Sequence, residues 1–298
     1  MQKDLFSEEK QEVKKPKERI ILRDKFIEPP FSILDTKTAF WKARRKRWDK
    51  LGILSEIGRK VSTIRIKGGN PNNKTEKKDI SKTPYISIFD PALCEVLYKW
   101  FCPDNGDILD PFAGGSVRGI VANYLGYKYS GIDIRQEQIR SNIEQAVSIL
   151  EPNNQPKWWV GDSDILLTNS KKEFDMVFSC PPYAHLEVYS DLDGDISNMD
   201  YENFLKSYES IIKKSCDLLK SGGYACFVVG EVRDKKGNYI GFVPDTINAF
   251  KKCGMDFYNE AILLNGMGSA AMRANGNMKT QKLVKVHQNI LVFKKPQE

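Results

Sequence analysis

At 298 residues the chain can hold one α/β catalytic domain with an appended arm but not two large domains, since domains usually run to roughly 100–200 residues. With 41% hydrophobic residues it can fill a core, yet no apolar run approaches the roughly 20 residues that span a bilayer, and the charged start from Met1 to Lys17 lacks the apolar centre of a signal peptide; this argues against a membrane partner and for the cytoplasm. The formal charge of +7 admits a polyanionic partner and serves solubility equally well, while six cysteines without a CxxC pair and only two histidines argue against a metal cage.

In chain order, residues 1–25 are Lys/Glu-rich and read as a disordered tail, because they offer too little apolar surface to offset chain entropy. Pro29 and Pro30 favour an extended path after Phe26, and a helix follows from Thr36 to about Leu51. Its Lys42, Arg44, Arg45 and Arg47 lie between Trp41 and Trp48, a pattern that suits phosphate contact and equally a charged helix face. A Gly/Asn/Pro-rich stretch, Lys67 to Lys78, reads as a linker. The expected organisation is therefore a basic arm and linker over 26–80 and a catalytic domain over 81–298.

After Tyr85 short apolar runs alternate with amphipathic stretches, as in βαβ units. Strands are predicted at 107–109, 129–132, 158–160, 176–179, 224–229, 257–264 and 289–293, with helices near 91–101, 117–125, 136–150, 201–219 and 244–252. The order predicts an α/β fold with a seven-stranded, mostly parallel sheet. Five of the six cysteines read as small core hydrophobes.

The segment Asp107-Ile-Leu-Asp-Pro-Phe-Ala-Gly-Gly-Ser-Val-Arg-Gly119 joins a strand to a helix through a glycine-rich turn, the geometry used for nucleotide-like ligands. Ile120 and Val121 stand where a P-loop needs Lys and Ser/Thr, and GxGxxG is absent. Acidic residues close three successive strands: Asp110, Asp133 and Asp162. Any one of them is equally an ordinary helix N-cap, but three in register suit a cationic ligand with ribose and base. S-adenosylmethionine has an ammonium, a sulfonium, ribose hydroxyls and an adenine amine, whereas a pyrophosphate would be repelled.

Ile86-Ser-Ile-Phe-Asp-Pro91, Asp110-Pro-Phe-Ala-Gly-Gly-Ser116, Gly131-Ile-Asp-Ile134, Cys180-Pro-Pro-Tyr183 and the strand from His287 to Lys294 together resemble amino-group DNA methyltransferases acting on adenine N6 or cytosine N4. The resemblance covers roughly Tyr85 to Lys295, and the overall layout is similar to phage-type DNA methylases. It implies a Rossmann-like class I fold, S-adenosylmethionine as cofactor, DNA as partner, and DNA methylation of the restriction-modification kind in a bacterial or phage-infected cell. It also implies that Phe89 packs near the cofactor and that Asp110, Pro111, Phe112, Gly114 and Gly115 contact its methionine portion. Asp133 would take the ribose, and Asp162 with Ser163 the adenine end. The family usually has glycine where Ser116 stands. Arg118 is expected on the solvated surface.

A strand running into Cys180-Pro181-Pro182-Tyr183 would hold carbonyl acceptors and an aromatic ring in fixed directions. Acceptors around the protons of an exocyclic amine aim its lone pair at the methyl group, and Tyr183 would stack on a base extruded from the duplex. The family normally has Asp, Asn or Ser where Cys180 stands, and sulfur is a weak acceptor. Either other acceptors carry that role, or Cys180 is a nucleophile for carbon-5 methylation. Strand alternation turns Ser179 away from Cys180. Asp191, Asp193 and Asp195 read as a solvated loop rather than a calcium site. Glu231, Arg233 and Asp234 either border the substrate cleft or form a surface ion cluster. RNA methylation and a catalytically silent nucleic-acid-binding role stay open, as does the oligomeric state.

Overall fold

The computed structural model describes residues 22–53, 89–183, 192, 194–265 and 270–297. Most of the predicted tail, the predicted linker over 67–78, Ile86 to Ile88, Asp191 and Asp193 lie outside these residues. The chain divides into two units, Met1–Pro30 and Phe31–Glu298. In the first, Leu22–Phe26 forms a short helix, α1, where the sequence suggested the end of a tail.

The second unit is built on a mostly parallel sheet of eight strands, one more than expected. They are β1 (Ile33–Asp35), β2 (Asp107–Asp110), β3 (Lys128–Asp133), β4 (Lys157–Val160), β5 (Phe174–Ser179), β6 (Leu219–Val229), β7 (Asp256–Leu264) and β8 (His287–Lys294). Their spatial order is β1-β7-β8-β6-β5-β2-β3-β4. Strand β8 runs antiparallel to both neighbours and the other pairings are parallel. The additional strand is β1, which pairs Ile33 with Ile262 through Asp35 with Leu264. Three residues after two prolines are too short to show an alternating pattern, so only the free edge of β7 makes them a strand.

The helices are α2 (Ala39–Lys50), α3 (Pro91–Phe101), α4 (Val117–Tyr124), α5 (Gln136–Ile149), α6 (Ser163–Thr168), α7 (Tyr201–Asp217), α8 (Phe242–Lys252) and α9 (Ala270–Met278). The central strands are nearly continuous apolar runs because both sheet faces are covered. On one face Leu109, Val177, Ala225, Phe227, Leu291 and Phe293 pack beneath α7 and α8 through Phe204, Tyr208, Ile212 and Phe250. Phe250 stacks on Phe293 with ring centroids 4.0 Å apart. On the other face, Phe178 meets Tyr98 of α3 edge to face, and Tyr98 Oη donates to the Arg118 carbonyl of α4 at 2.9 Å.

Two features place the site. From β2 the chain steps outward to β3 and β4 and then returns to β5 on the other side of β2, so the order reverses between β2 and β5, and in open α/β sheets ligands bind beyond the carboxyl ends at such a reversal. The basic arm is also built into this unit: Trp41 and Trp48 are buried, and their Nε1 atoms donate to Asp90 Oδ2 at 3.0 Å and Glu95 Oε2 at 2.9 Å on or beside α3.

Candidate active site

The turn after β2 is held from three directions. The Gly114 amide donates to Asp133 Oδ2 at 3.0 Å, and its carbonyl accepts from Asn142 Nδ2 at 2.7 Å. Gly114 has φ +51°, and a Cβ built on it would meet no heavy atom within 4 Å. The turn thus presents bare backbone to open space, as a ligand cradle requires. Ser163, expected at the cofactor, donates its hydroxyl to the Pro111 carbonyl at 2.6 Å and braces the turn. Ser116 is buried and bonds through its hydroxyl to Gln145 of α5, so the residue that replaces the family's glycine ties the turn to the next helix.

Asp133 accepts from the Arg135 amide at 2.9 Å through its other oxygen, and the Arg135 guanidinium lies 3.6 Å away. Burial pushes its carboxyl up, and Arg135 and the two amides counter that push. Asp162 caps α6 by accepting from the Asp164 amide at 2.8 Å. Gly194 comes so close that a Cβ there would lie 3.1 Å from Asp162 Oδ2. Asp195 is buried, accepts from the Ser197 amide at 2.9 Å and hydroxyl at 2.6 Å, and raises the Asp133 carboxyl further. This corrects the expectation of a solvated loop at that position: a local cap satisfies the carboxylate where it is buried.

Asp110 has a different task. Its carboxylate is fully buried and accepts from four donors: the Phe112 amide at 3.1 Å, Ser179 Oγ at 2.6 Å, Arg118 Nε at 2.5 Å and Tyr129 Oη at 2.7 Å. Those donors fill its lone pairs. Arg118 is buried as well, contrary to the expected surface position. Its Nη2 donates to the carbonyls of Phe112 at 2.6 Å and Ala113 at 2.8 Å, and its guanidinium lies 4.8 Å from the Phe89 ring centre. Burial alone would pull the guanidinium down, but Asp110 first, with Tyr129 and Cys180, together outweigh it and raise the group. Phe89 in turn meets Phe178 edge to face at 5.6 Å.

Ser179 carries this hub to the second motif. Its hydroxyl donates to Asp110 at 2.6 Å, which locks the end of β5 to the end of β2. Cys180, Pro181, Pro182 and Tyr183 therefore leave the sheet beside the Asp110–Gly115 turn. Cys180 is half-buried and electrostatically coupled to Arg118 and to the Tyr208 hydroxyl. Tyr183 meets Phe242 edge to face at 5.7 Å, and its hydroxyl accepts from Gln288 Nε2 at 3.2 Å.

One set of supporting residues was missed from the sequence. Gln138, Asn142 and Gln145 lie along one face of α5 and are buried. Gln138 receives from Arg135 at 2.9 Å and donates to Asn142 at 2.9 Å, and Asn142 then holds Gly114. Polar residues at helical spacing where an amphipathic helix should be apolar were the available signal. On α2, Lys42, Arg45 and Arg47 are exposed, whereas Arg44 turns inward and pairs with Glu95. Among the described residues no cluster of His, Cys, Asp or Glu could hold a metal, and no helix is long and apolar enough to cross a membrane.

Residues 2–145 match the DNA methylase family model, a span that takes in Asp110–Gly115 and Asp133 and ends before Cys180. A release factor glutamine methyltransferase from Clostridium botulinum is 31% identical over 134 residues, covering 41% of this chain and 46% of that protein. The chain thus aligns with about half the length of that curated relative. Among solved structures, magnesium protoporphyrin IX methyltransferase from Synechocystis with bound S-adenosylmethionine has a TM-score of 0.43 at 13% identity, covering 69% of this chain and 79% of that one. A proposed DNA modification methylase from Thermus thermophilus has a TM-score of 0.35 at 23% identity, covering 47% and 53%. The family match and the methyltransferase relative agree with the sequence motifs on one cofactor, S-adenosylmethionine.

Proposed function

We propose, for a chain whose residues 2–145 match the DNA methylase family, that it transfers a methyl group from S-adenosylmethionine to an exocyclic amino nitrogen of a DNA base, adenine N6 or cytosine N4. The observation that carries this reading is the Ser179–Asp110 bond, which seats Cys180-Pro-Pro-Tyr183 against a glycine turn open to a ligand. When bound, the cofactor supplies an electrophilic methyl on a sulfonium. Phe89, the Pro111–Gly115 backbone, Asp133 and Asp162 would hold it, with Asp110 and Ser163 keeping the turn in shape. The Cys180-Pro-Pro turn would offer acceptors to the amine, and Tyr183 would stack on an extruded base. The layout supports DNA modification of the restriction-modification or phage type. Transfer of labelled methyl to unmodified genomic DNA, digested to nucleosides, tests the reading. Label in N6-methyladenosine or N4-methylcytidine deoxynucleosides is expected, and no label in DNA would overturn it.

The 31% identity to a glutamine methyltransferase supports a second reading, since an amide nitrogen is conjugated much as a base amine is. Label in protein but not in nucleic acid would establish it. RNA as acceptor is separated by the same digestion.

Asp133 should matter to the cofactor directly. Asp133→Ala removes the bond that holds the Gly114 amide, the bond from the Arg135 amide and an acceptor for ribose hydroxyls, so S-adenosylmethionine affinity should fall about tenfold or more. Unchanged affinity by calorimetry would remove Asp133 from the site. The arm can be tested by salt dependence: replacing Lys42, Arg45 and Arg47 by Ala should lower the slope of log affinity for DNA against log salt by about 0.9 per lost phosphate contact. An unchanged slope would assign α2 a packing role alone. Arg44→Ala should instead lower stability, because Arg44 pairs with the Glu95 carboxylate that also receives Trp48.

A further inference from the structure

Glu231 follows β6 and divides its carboxylate between two environments. Oε1 accepts from the Val243 amide at 3.1 Å, in the first turn of α8, where the N-cap Gly241 has no side chain to do so. Oε2 is buried and has no hydrogen-bond partner among the described residues. A buried carboxylate oxygen is costly without a donor, so a structure that keeps one has a use for it or a partner to come. Lys285, just before β8, is half-buried and feels Glu231, yet no ion pair joins them among the described residues. Burial pushes its ammonium down, with Glu231 opposing that push and Arg233 adding to it.

The cluster adjoins Tyr183. A Cβ built on Gly230, the residue before Glu231, would lie 3.5 Å from Tyr183 Oη and 3.7 Å from Lys285 Nζ. Phe242, next to the Val243 that fixes Glu231, is the ring that meets Tyr183. Gln288 also donates to Tyr183. Arg233 is spent within its own turn, donating to the Gly237 carbonyl at 2.6 Å and lying 3.9 Å from the Tyr239 ring centre. An acceptor and a donor that leave each other unpaired thus flank the aromatic platform.

We infer that Glu231 and Lys285 read the hydrogen-bonding edge of the target base, Glu231 Oε2 accepting from its exocyclic amine and Lys285 Nζ donating to the adjacent ring nitrogen. Adenine and cytosine both present an amine donor beside a ring-nitrogen acceptor on their pairing edge. Guanine and thymine present a carbonyl beside a ring N–H there, so the pair rejects them. Glu231 also supplies the charged acceptor that Cys180 cannot. The inference rests on the base-methylation reading proposed above.

Glu231→Gln separates recognition from capping. Its amide oxygen can still accept from Val243, which turns the amide N–H₂ toward the amine and sets donor against donor. Single-turnover methyl transfer to genomic DNA should fall about tenfold or more, while S-adenosylmethionine affinity and melting temperature stay near those of the wild type. Lys285→Met, which keeps the apolar stem, should show a similar loss. Transfer at the wild-type rate by folded Glu231→Gln overturns the inference. If that variant fails to fold, wild-type transfer by Lys285→Met overturns it instead. A fall in cofactor affinity as large as the fall in rate also overturns it, since both residues would then act on the cofactor. Wild-type protein that methylates no nucleic acid removes the base-methylation reading itself, and the inference with it.

Discussion

Replacing Arg118 by methionine is expected to destabilise the protein by about 3–5 kcal/mol, because it leaves the Asp110 carboxylate buried without its cation. For a domain of this size the melting temperature should fall by roughly ten degrees. Arg118→Lys should not rescue it: one guanidinium serves Asp110, the Phe112 carbonyl and the Ala113 carbonyl in a fixed plane, and an ammonium cannot reach all three. Combining Arg118→Met with Asp110→Asn should recover part of the loss, since the uncompensated charge is then gone. Urea unfolding of the four proteins measures this directly. A loss under about 1 kcal/mol for Arg118→Met would match an exposed ion pair and contradict the buried hub.

The second large effect is on activity. Tyr183→Ala should remove base stacking worth roughly 1–3 kcal/mol, so transfer should drop about tenfold or more at near-normal cofactor affinity. Tyr183→Phe should lose less than Tyr183→Ala, because it gives up the 3.2 Å bond from Gln288 while the ring keeps its contact with Phe242. Cys180→Ser should retain activity under direct displacement. Serine offers a better acceptor than sulfur and a far weaker nucleophile than a thiolate. Complete loss in a folded Cys180→Ser variant, together with trapping of the wild type on DNA containing 5-fluorocytosine, would instead establish carbon-5 chemistry.

These two experiments probe residues of different legibility. Tyr183 and its prolines stand out because a motif is contiguous, and the glycine turn after Asp110 stands out for the same reason. The seven strands expected from Asp107 onward are present because apolar β-branched and aromatic runs bounded by turns carry their own period. Helices α3 and α7 follow from their apolar stripes, and the caps Asp90 and Asp200 start them.

What the sequence alone determined is thus the seven strands from Asp107 onward, the longer helices and the two motifs, each specified by residues within a few positions of one another. The tertiary structure decided how charged and polar groups are used, because their cost depends on partners that meet only after folding. Arg118 reads as a surface residue since lone arginines are seldom buried, yet Asp110, Phe112 and Ala113 gather its donors inside. Arg44 belongs to a basic run in the sequence and to Glu95 in the fold. Asp110, Asp133 and Asp162 are alike in one dimension and distinct in three. One is saturated by four donors, one shapes the turn, and one caps a helix beside Gly194. Hydrophobic pattern is a property of neighbours along the chain, whereas satisfaction of a buried charge is a property of neighbours in space.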